Sequence, residues 1–378
     1  MLTTTNQNSE GIMSWVAISN GALALEDSGI MGSEYSLLVL PTKPSPPLAL
    51  NDLGAKSWLQ LLEPRTPDQR VGDEERVLLE EMREVGLVSD NSDNSARVKE
   101  VAKPWLASPI HELVYALIAR VAEERAIPYF FIKGPMLSEY GLRVKSHSAD
   151  VDVWVEQSAV EELRSALEAW GWSLQPNAWN GTDVNHSVTL EPGLWGCEID
   201  IHRRMPGMTE VDSLVFSSLY AHTRKRVFAG VECNVLDRKS AALVYCMHLV
   251  RPEIGRVANE TTGNIVANAL SAAGLGVVDI AKEVGAVTVL RDSLETAFPL
   301  ATLDVSDGTP RDWAWRTKRT KLTAYCAALR TLPFRQRGGV ILQLIWPSKE
   351  AALRSEKLSG GRTHNSTLAR IKRLFRAT

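Results

Sequence analysis

Two acidic residues stand one position apart in an apolar stretch of the sequence. Asp150 and Asp152 alternate with apolar residues over positions 149–155. Because side chains two positions apart in a β-strand point to one face, both carboxylates would share a face, with Cα atoms about 6.5–7 Å apart. Carboxylates at this spacing can converge on one or two ions, and hard oxygen ligands suit Mg²⁺ or Mn²⁺. The pattern indicates metal-dependent chemistry.

A second alternating stretch supplies further ligand types. Glu198, Asp200 and His202 alternate with apolar residues and would also share one strand face. If this strand lies beside the first, a third carboxylate joins Asp150 and Asp152. Three crowded carboxylates repel each other, so a cation is their natural counter-charge. His202 is either a member of this site or a structural residue that orients Asp200.

A lysine-glycine pair marks a turn between a predicted strand and a predicted helix. Lys133 and Gly134 follow an apolar run and precede Pro135, which suits the first turn of a helix. Free backbone N–H groups and the helix dipole make such a turn an anion site, and Gly134 permits close approach. Lys133 could add a point charge to a phosphate. The alternative is that the pair only ends a strand.

The elements that must position these residues alternate between helix and strand. The central patterns are a helix over 110–126, a strand over 128–132, a strand over 151–155, a helix over 158–170, and a hairpin formed by 184–190 and 197–202. They predict an α+β domain over 101–237 with a mixed or antiparallel sheet. Residues 238–378 read as helical throughout and predict a helical bundle with a basic C-terminal helix.

The N-terminal part has a different pattern. Over residues 12–100, two apolar runs flank Asn20-Gly21, which predicts a hairpin. Further short strands and helices follow, and Gly86 would end the last helix. A few strands followed by short helices predict a small winged-helix module.

Composition limits the class of protein. The chain has 378 residues, a formal net charge of −3 and four scattered cysteines. The sequence has no CxxC pair, so we expect neither a zinc site nor a dithiol redox site. Scattered cysteines fit a reducing cytosol. The sequence contains neither an apolar run of membrane-spanning length nor a signal-peptide pattern. We therefore expect a cytoplasmic protein with no membrane partner.

The ordered motifs carry a resemblance. The series 132–134, 150–155 and 198–202, followed by His248, resembles the nucleotidyltransferase superfamily with a DNA-polymerase-β-like palm, and in particular an uncharacterised branch of it. The resemblance spans roughly residues 105–378. It implies nucleotidyl transfer from a nucleoside triphosphate with Mg²⁺ or Mn²⁺. Asp150 and Asp152 would hold the metals, and Asp200, or Glu198, would be the third acid, which draws off the acceptor proton.

The resemblance also implies a nucleotide pocket. Lys133 and Gly134 would cradle the outer phosphates. The branch has an arginine four residues before its first aspartate, a position that is not basic in this sequence. The nearest basic residues are Arg143 and Lys145, which complete the predicted nucleotide-binding set together with His202.

The N-terminal module resembles the PqqD-like family of small winged-helix domains. The matching features are Leu50-Asn51, Gly54-Ala55, Trp58 and Gly86-Leu87-Val88. The resemblance implies recognition of the leader peptide of a ribosomally made precursor. The alternative is a winged helix that serves only as a scaffold or a dimer contact.

Together these readings predict an enzyme that transfers a nucleoside monophosphate, or a related phosphate-linked group, to a peptide in ribosomal peptide natural-product biosynthesis. Two alternatives stay open: an inactive adaptor that binds a peptide or a partner enzyme, and a toxin-like transferase acting on RNA. The acidic stretch over residues 68–93 argues against a nucleic-acid partner.

Overall fold

A computed structural model describes residues 15–25, 36–65, 72–144, 149–254, 260–303, 310–358, 365–368 and 370. The N-terminal elements are β1 (Val16–Ala17), β2 (Gly21–Ala24), β3 (Leu37–Leu40), β4 (Leu48–Leu50), α1 (Asp52–Gln60), α2 (Asp73–Val85) and β5 (Val88–Ser89). Strands β2, β3 and β4 form an antiparallel sheet, while β1 pairs with β5.

The hairpin expected around Asn20-Gly21 is wrong, because β1 and β2 belong to different sheets. The Asn20 backbone N–H donates to the Leu40 carbonyl, and its side-chain amide donates to the Pro41 carbonyl. Asn20 is therefore buried against the end of β3 instead of forming an exposed tight turn.

The central elements are α3 (Pro109–Glu124), β6 (Tyr129–Ile132), α4 (Met136–Glu139), β7 (Asp150–Val155), a 3₁₀ turn (Gln157–Ala159), α5 (Val160–Glu168), β8 (Trp172–Leu174), β9 (Ser187–Pro192), β10 (Glu198–His202), α6 (Asp212–Ala221), β11 (Thr223–Phe228) and β12 (Val231–Leu236). The sheet order is β11-β12-β6-β7-β10-β9-β8. Strands β7 and β10 run parallel, as do β6 and β12, and the other pairs are antiparallel. This mixed sheet confirms the α+β prediction.

The two faces of the central sheet pack against different helices. Val151, Val153 and Ile199 belong to the hydrophobic cluster that contains α3 and α5. Trp154 and Phe130 belong to a second cluster with the C-terminal helices. Because strand side chains alternate, the acidic positions of β7 and β10 share the second face, toward the C-terminal helices.

The C-terminal part is helical, as predicted. Its helices are α7 (Arg238–Val250), α8 (Glu260–Ala273), α9 (Val277–Glu283), α10 (Val287–Ala297), α11 (Lys321–Thr331), α12 (Phe334–Ile345) and α13 (Lys349–Leu358). Asp237 caps α7 by accepting a hydrogen bond from the Ser240 backbone N–H. Most of the predicted basic helix over 366–376 lies outside the described residues.

The N-terminal sheet uses both of its faces for packing. Leu37 and Val39 pack with Trp58 in the core of the N-terminal part. Leu23 and Leu38 point the other way and join the cluster that contains α3. The N-terminal part and the central part therefore share a hydrophobic core.

No single helix in the described chain is both long and apolar enough to cross a membrane, although the bent pair Thr261–Ala273 and Val277–Glu283 passes the same test of length and composition when taken together. Several apolar residues of this pair, including Val266, Leu270 and Val277, are buried in the second cluster.

Candidate active site

The two acidic stretches lie on neighbouring parallel strands in exact register. Asp150 of β7 pairs with Glu198 of β10, and Asp152 pairs with Asp200. The next pair on this face, two positions further along, is Trp154 with His202. Strand pairing thus brings the separate motifs, which are about fifty residues apart in sequence, side by side on one face of the sheet.

Asp152, Asp200 and His202 form the compact part of the site, which we call the acidic triad. One ligand atom from each of these residues lies within 4.8 Å of the others. Asp152 and His202 are buried, and Asp200 is half-buried. The triad combines two of the predicted acids with the predicted histidine.

Asp152 is held by two side chains at once. Lys133 Nζ lies 2.7 Å from Asp152 Oδ1, and His202 Nε2 lies 2.8 Å from the same oxygen. Burial by itself raises the pKa of the Asp152 carboxyl, but the hydrogen bond with His202 and the charge of Lys133 outweigh it. The pKa therefore lies well below its usual range, and Asp152 is ionised at neutral pH.

Asp200 has a different partner. Thr189 on β9 donates its hydroxyl to Asp200 Oδ1 at 2.5 Å, and the two residues are directly opposite each other in the β9–β10 pair. Sequence reasoning did not identify Thr189, because its contact with Asp200 depends on the register between β9 and β10. His202 hydrogen-bonds to Asp152, whereas one reading of the sequence had it orient Asp200.

Asp150 and Glu198 lie beside the triad and outside its compact set. Burial and the charges of Asp200 and Asp150 raise the pKa of the Glu198 carboxyl, which shows that these acids are close. Glu198 is exposed and accepts a hydrogen bond from Arg354 of α13 at 3.1 Å. The structure therefore places Glu198 at the rim of the acidic face.

The Lys133-Gly134 turn has a strained backbone. Lys133 has φ +57° and Gly134 has φ +55°, both in the left-handed region. Arg143 donates to the Gly134 carbonyl at 2.9 Å and so braces the turn, while Lys145 lies outside the described residues. The conformation directs the Lys133 side chain to Asp152, and strain of this kind is often concentrated at functional sites.

Gly134→Ala is expected to lower the free energy of unfolding by about 2 kcal/mol and to lower activity. A Cβ on Gly134 would lie 2.4 Å from the Tyr115 hydroxyl, in addition to the unfavourable φ. Urea unfolding would measure the loss. Tyr115→Phe in the same chain should restore part of it, because it removes the clashing atom.

The control for this pair is Gly338→Ala. Gly338 lies in α12, and a Cβ there would meet nothing within 4 Å. It should leave stability unchanged or raise it slightly. The explanation fails if Gly134→Ala unfolds at the wild-type urea concentration, or if the Tyr115→Phe double variant is no more stable than the single one.

Imidazole and guanidinium groups border the triad on the side of the C-terminal helices. The His186 ring lies 5.6 Å from the His202 ring, and Arg251 Nη1 lies 2.8 Å from His186 Nε2. Burial, together with the charges of Lys133 and Arg251, lowers the pKa of His248 to about 4. Sequence reasoning missed Arg251, because nothing in the local pattern places the end of α7 beside β7.

The donor set fits a divalent cation. Asp152 and Asp200 offer the hard carboxylate oxygens that Mg²⁺ and Mn²⁺ accept, and His202 offers a nitrogen that suits Mn²⁺ better than Mg²⁺. His202 Nδ1 is buried and has no hydrogen-bond partner among the described residues, so this imidazole is not fixed by a second bond. The residues present therefore fit a divalent metal ion.

A comparison with protein families finds a match in the part of the chain that carries the acidic triad. Residues 111–257 match the model of a family described as an uncharacterised nucleotidyltransferase. The matched range contains all three residues of the acidic triad and the Lys133-Gly134 turn. The match supports a transferase activity for the central part. No curated protein matches the chain.

Several solved nucleotidyltransferase structures resemble the fold at low identity. The antibiotic-resistance factor ANT(2'')-Ia is 15% identical with a TM-score of 0.30, covering 50% of this chain and 93% of that one. The lincosamide antibiotic adenylyltransferase LnuA, solved with lincomycin bound, is 14% identical with a TM-score of 0.27, covering 43% and 96%. An antigenic nucleotidyltransferase-like protein from Paracoccidioides brasiliensis is 10% identical with a TM-score of 0.33, covering 53% and 96%.

Proposed function

We propose, from the match of residues 111–257 to an uncharacterised nucleotidyltransferase family, that the chain transfers a nucleoside monophosphate from a nucleoside triphosphate in a metal-dependent reaction. The observation that carries the proposal is the pairing of Asp152 with Asp200 on adjacent parallel strands, with His202 completing a compact ligand set. This geometry concentrates negative charge on one face of the central sheet, where a cation would offset the repulsion.

The proposed step is an in-line displacement at the α-phosphorus. A bound metal ion would polarise the α-phosphate and neutralise charge on the leaving group. Asp152 and Asp200 would hold it, and Asp150, which lies beside them, would be a further ligand. A nucleophilic oxygen of the acceptor forms a bond to the α-phosphorus, the bond to the bridging oxygen of the β-phosphate breaks, and pyrophosphate leaves with the electron pair. Asp200, or Glu198 beside it, would accept the proton of the acceptor.

We further propose that the acceptor is a peptide bound by the N-terminal part. Within the described residues, β4 pairs only with β3, so its outer edge is available to an added strand. The other edge of this sheet is occupied, because Ala22 and Ala24 donate backbone hydrogen bonds to Ala229 and Ala102. A cavity of about 370 Å³ borders α1, with Lys56 and Leu59 in its wall. These features support peptide binding at β4, in keeping with the PqqD-like resemblance.

The test is transfer of label from α-³²P-labelled nucleoside triphosphates by the full chain. The candidate acceptors are the protein itself, a synthetic peptide library containing serine, threonine and tyrosine, and total RNA. We expect labelled peptide in the presence of Mg²⁺ or Mn²⁺. EDTA should abolish the label, since metal removal leaves the acids without their cation.

The three acceptors separate the alternatives. If only RNA becomes labelled, the peptide proposal is wrong and the protein is a transferase that acts on RNA. The absence of metal-dependent label on peptide, RNA and protein, with all four nucleotides, would overturn the enzyme proposal and favour an adaptor.

A further inference from the structure

A row of basic and imidazole groups leads from the acidic triad toward the C-terminal helices. Lys133 and His202 both contact Asp152 Oδ1, at 2.7 and 2.8 Å. The His186 ring stands 5.6 Å from His202, and Arg251 Nη1 lies 2.8 Å from His186 Nε2. These contacts therefore connect the guanidinium of Arg251 to the candidate metal ligands through two histidines.

Arg251 is a partly buried cation whose pKa burial lowers, an effect that the carboxylates of Glu253, Asp152 and Asp200 only partly offset. It caps the C-terminal end of α7 and is half-buried. Its hydrogen-bond partner is the imidazole of His186, whose Nε2 lies 2.8 Å from Arg251 Nη1. A guanidinium withdrawn from water is stabilised by a hydrogen-bonded anion, whereas the group that accepts from Arg251 here is an imidazole. An anionic ligand bound beside the triad would therefore stabilise the Arg251 guanidinium.

The hydrogen bond to Arg251 also fixes the state of His186. Because a guanidinium only donates, His186 Nε2 must accept, and the proton of the neutral ring lies on Nδ1. His186 Nδ1 is buried and has no partner among the described residues. This leaves a second donor beside Arg251 that no group of the described residues satisfies.

A second guanidinium approaches from the segment before α11. Asp312 accepts from the Gly207 backbone N–H at 3.2 Å, which holds this segment against the loop that follows β10. Arg316 Cζ lies 4.3 Å from the centre of the Trp315 ring, and Arg316 Nε is buried without a hydrogen-bond partner in the described chain. Burial, and then the charge of Arg251, lower the pKa of Arg316 to about 10, so it stays positive at neutral pH.

Trp315 also lines a cavity of about 700 Å³. Arg203 and Arg204, which directly follow His202 in the chain, lie in the wall of the same cavity. The cavity is large enough for a small ligand. Its wall carries charges of both signs, including Arg203 and Arg204 as well as Asp183 and Asp212.

We propose that Arg251, Arg316 and His186 bind the β- and γ-phosphates of the nucleoside triphosphate, an inference that rests on the proposed nucleotidyl transfer. A guanidinium presents its donors as a planar fork that matches two phosphate oxygens. Donors fixed in this way stabilise the charge that develops on the leaving pyrophosphate. Lys133, which is already bonded to Asp152, lies at the other end of the row, beside the metal ligands.

The test is binding of inorganic tripolyphosphate to the full chain by titration calorimetry in EDTA, so that no metal contributes. We expect Arg251→Met to weaken binding at least about tenfold and Arg316→Met to weaken it in the same direction, because each loses a charged hydrogen bond. AMP, which lacks the outer phosphates, should bind equally to the wild type and both variants. Arg291→Met is the control, since Arg291 lies on the exposed side of α10 and pairs with Glu295.

Arg251→Lys is the second variant, for the case in which Arg251→Met fails to fold. It keeps the positive charge and loses only the planar pair of N–H donors, so it should weaken tripolyphosphate binding several-fold. Wild-type affinity in Arg251→Lys and Arg316→Met, or no tripolyphosphate binding by the wild type, would overturn the proposal. The two proposals fail separately. Arginine-dependent tripolyphosphate binding without any transfer contradicts only the enzyme proposal, whereas transfer with arginine-independent binding contradicts only this one.

Discussion

Asp152→Asn is expected to lower the rate of nucleotidyl transfer by at least about a thousandfold, equivalent to roughly 4 kcal/mol of transition-state stabilisation. Asp152 is the most buried acid of the triad and bonds to both Lys133 and His202. Asparagine has nearly the same shape but carries no charge, so it weakens the metal site without leaving a cavity. Initial rates with labelled nucleotide and Mg²⁺ would measure the effect.

The substitution also leaves the Lys133 ammonium beside His202 without its carboxylate, so we expect a lower thermal midpoint. Thermal unfolding of the variant should therefore be recorded with its activity. Asp200→Asn tests the same site from a half-buried position with less risk to folding. Asp292→Asn is the matched control, because Asp292 is exposed on α10.

Two results would count against the assignment of the triad. One is near wild-type transfer by Asp152→Asn or Asp200→Asn. The other is undiminished binding of Mn²⁺ by both variants, measured by calorimetry. The second readout does not depend on knowing the acceptor.

Leu38→Ala is expected to lower the free energy of unfolding by about 2–5 kcal/mol and to destabilise the central part together with the N-terminal part. Leu38 is only 2% exposed and belongs to the same hydrophobic cluster as α3. Truncation removes packing that α3 receives from the N-terminal sheet. Urea unfolding followed by far-ultraviolet circular dichroism should show one transition shifted to lower urea.

For the same reason, a fragment that begins at residue 101 should be poorly soluble and should bind a hydrophobic dye. It would expose the face of α3 that Leu23 and Leu38 cover in the full chain. Leu53→Ala is the control within the N-terminal part, because Leu53 is 49% exposed. Two separate unfolding transitions, or a stable and active fragment, would show that the predicted boundary near residue 100 divides independent domains.

Much of the candidate site could be predicted from local patterns. Alternation along a strand is fixed by the covalent geometry of the chain, so Asp150 and Asp152 share a face wherever that strand lies. The same argument placed Asp200 and His202 together. The Lys133-Gly134 pair also predicted a turn between a strand and a helix, and the turn adopts a left-handed backbone.

Other features depend on pairing between distant segments. The partner of β1 is β5 and not β2, because burial of Asn20 against the end of β3 prevents the local hairpin. Thr189, which holds Asp200, became visible only through the register of β9 with β10.

The sequence by itself determined the types of ligand, the faces on which they lie and the sequence of strands and helices that carries them. Each of these follows from interactions between residues close in the chain. Only the tertiary structure decided that His202 bonds to Asp152, that Glu198 meets Arg354, and that Arg251 and His186 stand beside the triad. Such contacts are set by how helices pack on a sheet face. That packing depends on the total burial of apolar surface, so the residue at a single position does not predict it.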